Sequence, residues 1–248
     1  MTGKVLVAGS HGGIIAAYFG AKSGAHALVL NDAGVGKDRA GIAGLAYLEA
    51  IGMAAAAVDC TSARIGDGED MLARGIVSHA NIYASLCGVA PGQSCREAAE
   101  RLRNAAPPRS APPPYAEGRW RVAEGPPEIW ALDSVGKLVA EDAGRILVIG
   151  SHGALQGGRP ETALGVAAAA AVFNDAGLGA DRIGVSRLPV LSARGMPAAA
   201  VDCMSARIGD GRSMWETGVL SHVNAAAARL DAAPGMSVRK FASLIRSR

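Results

Sequence analysis

Short apolar runs bounded by glycine alternate with stretches of helical length along this chain, and the alternation occurs twice. Residues 5–8 (VLVA) and 146–149 (ILVI) are four-residue apolar runs stopped by glycine, as buried parallel strands are. Each leads through a Gly-rich turn to a predicted helix, over 14–21 in the first case and 161–170 in the second. A second strand is expected at 27–30 and 170–173, each ending at Asn-Asp-Ala-Gly, followed by helices over 39–50 and 182–193. A third strand at 55–59 or 198–202 runs into SARIGDG. Helices are then expected through SHAN (78–81) or SHVN (221–224), and over 94–103 or 237–246. Strands alternating with helices in this way indicate right-handed βαβ units and a parallel sheet.

The two passes share residues as well as rhythm. Residues 52–68 (GMAAAAVDCTSARIGDG) and 195–211 (GMPAAAVDCMSARIGDG) differ only at Ala54/Pro197 and Thr61/Met204. VLVAGSHG matches ILVIGSHG, NDAGVGKDR matches NDAGLGADR, VSHAN matches LSHVN and APGQSCR matches APGMSVR, all in the same order. The offset is 141 residues at the first block and 143 afterwards, so the second pass carries two extra residues between GSHG and NDAG. A solenoid repeat spans only about 20–50 residues. The expected fold is therefore α/β, with two tandem homologous βαβαβ-type half-domains of parallel strands related by a pseudo-two-fold axis. They span 1–104 and 145–248. Between them, 105–144 combines a Pro-rich linker (AAPPRSAPPPYA) with an inserted β-hairpin around Gly125-Pro126-Pro127.

Composition narrows the class. Half of the 248 residues are hydrophobic but only 4% are aromatic, and small side chains suit tightly layered helices on a sheet. A net charge of +3 with no basic, aromatic-interleaved stripe argues against nucleic-acid binding. Cys60, Cys87, Cys95 and Cys203 show neither CxxC nor Cys/His ligand spacing, which fits a reducing cytoplasm and no structural metal. The longest Ala-rich run (166–172) is far short of the roughly 20 apolar residues of a membrane span.

The matched polar blocks all fall after predicted strands, where ligands bind in open parallel sheets. Ser10 and Gly12, with Ser151 and Gly153, flank His11 and His152 in turns that let backbone approach an anion. No Gly-x-Gly-x-x-Gly or P-loop is present, so no cofactor is expected. The constellation read from these blocks takes His11 or His152 as general base. Ser62 or Ser205 is nucleophile or oxyanion donor, and Asp32 or Asp175 orients the imidazole. Asn31, Asn174, Arg64, Arg207 and Arg159 complete the expected binding set, arginine being suited to bidentate capture of a carboxylate. The plain alternatives are helix caps at Asp67 and Asp210, local ion pairs for the arginines, and buried helical histidines at His79 and His222.

In having repeated units that line a shared site, the chain resembles the internally repeated cyclic-amide hydrolases. Those have three units and Lys-Ser pairs that the matched loops here lack, so no residue role is carried across. The expected function is cofactor-independent hydrolysis of an amide-like C–N bond in a small polar or carboxylate-bearing metabolite bound between the repeats of a homo-oligomer. A racemase or isomerase using the Cys60/Cys203 pair is one alternative, and a non-catalytic small-anion-binding or assembly protein is the other.

Overall fold

The computed structural model describes residues 3–247. The chain divides into two compact units. Unit 1 holds the described residues through Val35, Arg39–Ala116 and Gly177–Asp181; unit 2 holds Gly36–Asp38, Glu117–Ala176 and the described residues from Arg182. Each unit is thus completed by a short segment from the other half of the sequence.

Unit 1 carries strands β1 (Val5–His11), β2 (Ala27–Asn31), β3 (Ala54–Val58) and β4 (Val77–Ala80) in that spatial order. The first three are parallel and β4 is antiparallel to β3. An unreversed order with right-handed crossovers places successive crossover helices on one face. Accordingly α1 (Ile14–Lys22) and α2 (Ala43–Ala50) share a core with Leu28, Leu30, Leu48 and Met53. Helices α3 (Gly68–Arg74) and α5 (Cys95–Leu102) supply Met71, Ala98 and Leu102 to a second core, which contains Val29, Val58 and Val77. Short α4 (Ile82–Leu86) follows β4.

Unit 2 has six strands in the order β10-β9-β8-β7-β6-β5. Here β5 (Arg119–Ala123) and β6 (Ile129–Leu132) form the expected hairpin. They extend the sheet: β6 runs parallel to β7 (Ile146–His152), which pairs with β8 (Ala170–Asn174) and then β9 (Ala198–Val201). β10 (Leu220–Val223) closes the other edge antiparallel. Helices α6 (Arg187–Ala193), α7 (Gly211–Thr217), α8 (Ala225–Ala228) and α9 (Val238–Arg246) complete the unit. Both units are thus mixed α/β with mostly parallel strands. No helix among the described residues is long and apolar enough to cross a membrane.

Three expected helices are absent. Ser78-His79-Ala80 and Ser221-His222-Val223 lie on β4 and β10. Val77-Ser78-His79-Ala80 is too short to show a period, and Asn81 ends the strand by capping α4, accepting from Ala84 N–H at 3.0 Å. Residues 161–170 form no α-helix, only single 3-10 turns at Gln156–Gly158 and Pro160–Thr162. Gly157 and Gly158 take positive φ (57° and 68°) there, which L side chains resist. The segment is held from below by buried Arg187, whose guanidinium donates to the carbonyls of Ala154 (3.0 Å), Thr162 (2.6 Å) and Ala163. Arg194 adds bonds to Leu164 O and Pro160 O, both 2.9 Å. Arg187 and Arg194 thus tie the carbonyls of Ala154, Pro160 and residues 162–164 to the start and end of α6.

Candidate functional site

The parallel strands of unit 1 end in a cluster built around Asp32. After β2 the chain takes four successive left-handed residues, Ala33 (φ 50°), Gly34 (72°), Val35 (61°) and Gly36 (67°). Each non-glycine residue there costs about 1–2 kcal/mol, and a β-branched valine is a marked outlier. Local bonds impose the turn: Ala33 N–H donates to Asn31 Oδ1 (2.9 Å), Gly34 N–H to Asp32 Oδ1 (3.0 Å) and Val35 N–H to Asp32 O (2.8 Å). In the matching loop Ala176, Gly177, Leu178 and Gly179 repeat the run at 51°, 72°, 62° and 66°. Gly177 must be glycine, because a Cβ would lie 2.9 Å from Gly34 Cα and 3.2 Å from Cys60 Sγ.

Asp32 is 5% exposed and its carboxylate is fully engaged. Oδ1 also accepts from Cys60 N–H at 3.0 Å, and Oδ2 accepts from Ser78 Oγ at 2.8 Å. On the other side of the same hydroxyl lies His79 Nδ1, at 3.0 Å. Ser78 and His79 are half-buried on β4 and so reachable from solvent. Asp59 Oδ1 accepts from Thr61 N–H and Thr61 Oγ1, both at 2.7 Å. Burial, then the charges of Asp32 and Asp59, push the Cys60 thiol up to about 12. Donor atoms of Asp32, Asp59 and Cys60 lie within 4.8 Å of one another, as do those of Asp175, Asp202 and Cys203 in unit 2.

In unit 2, Asp175 Oδ1 accepts from Cys203 N–H at 3.0 Å, and His222 Nδ1 lies 3.2 Å from Ser221 Oγ. Ser221 Oγ donates to Ala200 O at 3.4 Å, as Ser78 Oγ does to Ala57 O at 3.3 Å. One difference from unit 1 is that Arg182 Nη2 donates to His222 Nε2 at 2.9 Å.

The other expected residues take defined places. His11 (7% exposed) accepts Gly13 N–H on Nδ1 at 3.1 Å, so its proton sits on Nε2; burial lowers its pKa to about 4. At neutral pH it is a donor rather than a base. His152 Nδ1 likewise accepts from Ala154 N–H at 3.3 Å. Ser62 Oγ donates to Asp59 O (2.7 Å) and accepts from Ile76 N–H (2.9 Å), stitching the loop to the approach of β4. Ser205 does the same with Asp202 O (2.8 Å) and Val219 N–H (3.0 Å). Asn31 and Asn174 are wholly buried and donate to Ala63 O and Ala206 O. Gly12 and Gly153 donate to Asn31 O (2.6 Å) and Asn174 O (2.8 Å), and a Cβ on either would strike the carbonyl of Gly41 or Gly184. Ser10 is exposed, whereas Ser151 Oγ accepts Val135 N–H at 3.0 Å.

Arg64 pairs with Asp181 at 2.8 Å, and Asp181 also meets Arg74 at 2.7 Å. Arg207 pairs with Asp210 and Asp38, both at 3.0 Å. Arg159 is exposed, 3.9 Å from Glu161. Asp67 and Asp210 cap α3 and α7 as expected. Much of what the repeated blocks share thus builds turns and caps. The Ser78–Asp32–His79 contact stands apart from these, and it was missed because Ser78 and His79 were placed on a helix. The strict apolar–polar–polar–apolar order of Val77 to Ala80 is the only sequence trace of it. No family model matches this chain, and no curated protein or solved structure matches it either.

Proposed function

We propose that the chain is a hydrolase that cleaves an amide-like C–N bond in a small polar or carboxylate-bearing metabolite, with its working residues in unit 1 at Ser78, Asp32 and His79. One observation carries this reading: a half-buried serine hydroxyl held at 2.8 Å by a buried carboxylate and at 3.0 Å by an imidazole. Ser78 Oγ attacks the carbonyl carbon and its proton passes to Asp32 Oδ2. The departing amine takes that proton as the C–N bond breaks. Water then attacks the acyl-serine and loses one proton to Asp32, which passes it to Ser78 Oγ as the acyl–oxygen bond breaks; the other proton leaves with the carboxylic acid. His79, as the Nδ1–H tautomer, orients the hydroxyl. Neutral His11, on β1, is separated from β4 by β2 and β3 and has no part in this mechanism.

The matched segments and the shared order of β1–β4 and β7–β10 support a common origin of the two units by duplication. Four free cysteines support the cytoplasmic location we assign. A raised Cys60 pKa works against a thiolate isomerase. The gathering of Asp32, Asp59 and Cys60 favours a second reading, metal-assisted hydrolysis by an ion such as zinc, whose binding would deprotonate the thiol.

The test is a panel of linear and cyclic amides bearing carboxylates. Ser78→Ala and Asp32→Asn should each lower kcat by about 100-fold or more, with an unchanged circular-dichroism spectrum. Turnover that survives Ser78→Ala but disappears on chelation would replace the serine mechanism with the metal one. Turnover unaffected by both would refute the assignment.

A further inference from the structure

The two units treat one sheet edge differently. In unit 2 the strand β7 is wholly buried, because β6 pairs with it from Ile129↔Ile146 to Leu132↔Ile149. Among the described residues, the counterparts in unit 1, residues 5–8 on β1, pair with β2 alone and stay partly exposed. An open edge of this kind is a row of unpaired N–H and C=O groups. β1 carries no proline, and its register irregularity before His11 recurs before His152 in β7, which nonetheless accepts a neighbour.

Beside that edge runs a groove of about 530 Å³ lined by Lys4, Val5, Val7, His26, Arg96 and Arg103 among others. In unit 2 the position matching Arg103 is Arg246, which donates to the hairpin carbonyls of Glu124 (2.8 Å) and Pro127 (3.1 Å). The Arg103 guanidinium has no such partner among the described residues. His26 Nε2 donates to Leu102 O at 3.1 Å, which leaves Nδ1 as an acceptor; it is buried and without a hydrogen bond. Beyond the far end of β6, Asp133 Oδ1 accepts Gly211 N–H at 3.0 Å. A Cβ at Gly211 would sit 2.6 Å from the Leu132 backbone, so glycine is required for the strand to pass. Its counterpart Gly68 is glycine too, although among the described residues no strand passes there and the nearest atom to an added Cβ is Val7 O at 3.0 Å.

We propose that the open edge of β1 is a docking site for an extended apolar segment of a partner protein, which adds as a strand parallel to β1. The segment is flanked by acidic residues. Its backbone would complete the ladder on residues 5–8, and its preceding carbonyls would take Arg103. A carboxylate after the apolar run would reach Gly68 N–H, as Asp133 reaches Gly211. Lys4, Arg96 and Arg103 outweigh Glu100 and leave the groove net cationic, which complements the acidic flanks. The chain's own EGPPEIWALD (124–133) is the template for this occupant.

The probe is a synthetic peptide of residues 124–133, labelled at its N-terminus and titrated with the full chain by fluorescence anisotropy. Saturable binding in the micromolar range is expected. Arg103→Glu should weaken it about tenfold or more while leaving the melting temperature nearly unchanged, since Arg103 is exposed. A peptide with proline in place of Trp130 should not bind, because the ladder loses a donor. Binding that survives both changes, equal binding of a scrambled peptide, or no binding up to about 1 mM would overturn the proposal. So would sedimentation showing a dimer that Arg103→Glu dissociates, since the occupant would then be a second copy.

Discussion

Acidification should destabilise this protein through one buried imidazole. His11 is buried with Nδ1 bonded to Gly13 N–H, and burial holds its folded-state pKa at about 4 against an ordinary 6.5. The unfolded chain therefore takes up this proton first. The contribution of neutral His11 is complete above pH 6.5 and is lost as pH falls from 6.5 towards 4. A depression of that size corresponds to about 3 kcal/mol at the acid limit, at about 1.4 kcal/mol per pKa unit. Between pH 7 and pH 5 the loss is about 2 kcal/mol, or about 4–8 °C in Tm for a chain of this size. Carboxylates also titrate in this range, so the readout is a difference. His11→Asn keeps an acceptor where Nδ1 meets Gly13 but carries no proton, so its Tm should fall less than that of the parent between pH 7 and 5. Parallel pH slopes for the two proteins, or an imidazole titrating near 6.5 by NMR, would refute the reasoning.

Asn81→Ala removes acceptors for Ala55 and Ala84 N–H and donors for Leu45 and Met53 carbonyls, all buried; urea denaturation should show a loss of about 3 kcal/mol or more. Arg187→Met keeps volume against Phe173 but frees the carbonyls that hold the 154–164 loop; amide exchange there should accelerate, with about 2–4 kcal/mol lost overall. Arg64→Ala breaks an ion pair whose side chains are 45% and 47% exposed, so stability should change by less than about 1 kcal/mol in salt-dependent melts.

Patterning alone placed the second and third parallel strands of each pass within one residue; it found the starts of β1 and β7 but ended them at glycine, three residues before His11 and His152. It also located the hairpin and the caps at Asp67 and Asp210, which depend on neighbours three residues away. The missing helix at 161–170 turned on a distant residue: Arg187, whose buried charge is satisfied only by carbonyls that a helix would have kept for itself. β4 and β10 likewise exist because an antiparallel partner was available at β3 and β9, information carried by no window of four residues. The candidate site followed the same division. Histidine, serine and aspartate were legible as matched polar residues after strands. Their pairing was not, since Asp32 and Ser78 are 46 residues apart and the 2.8 Å between them is set by how β2 and β4 flank β3. Local sequence determined which segments extend, turn and cap, because those choices rest on nearest-neighbour sterics and hydrogen bonds. Only the tertiary structure decided which polar side chains meet, because that depends on strand order and on burial.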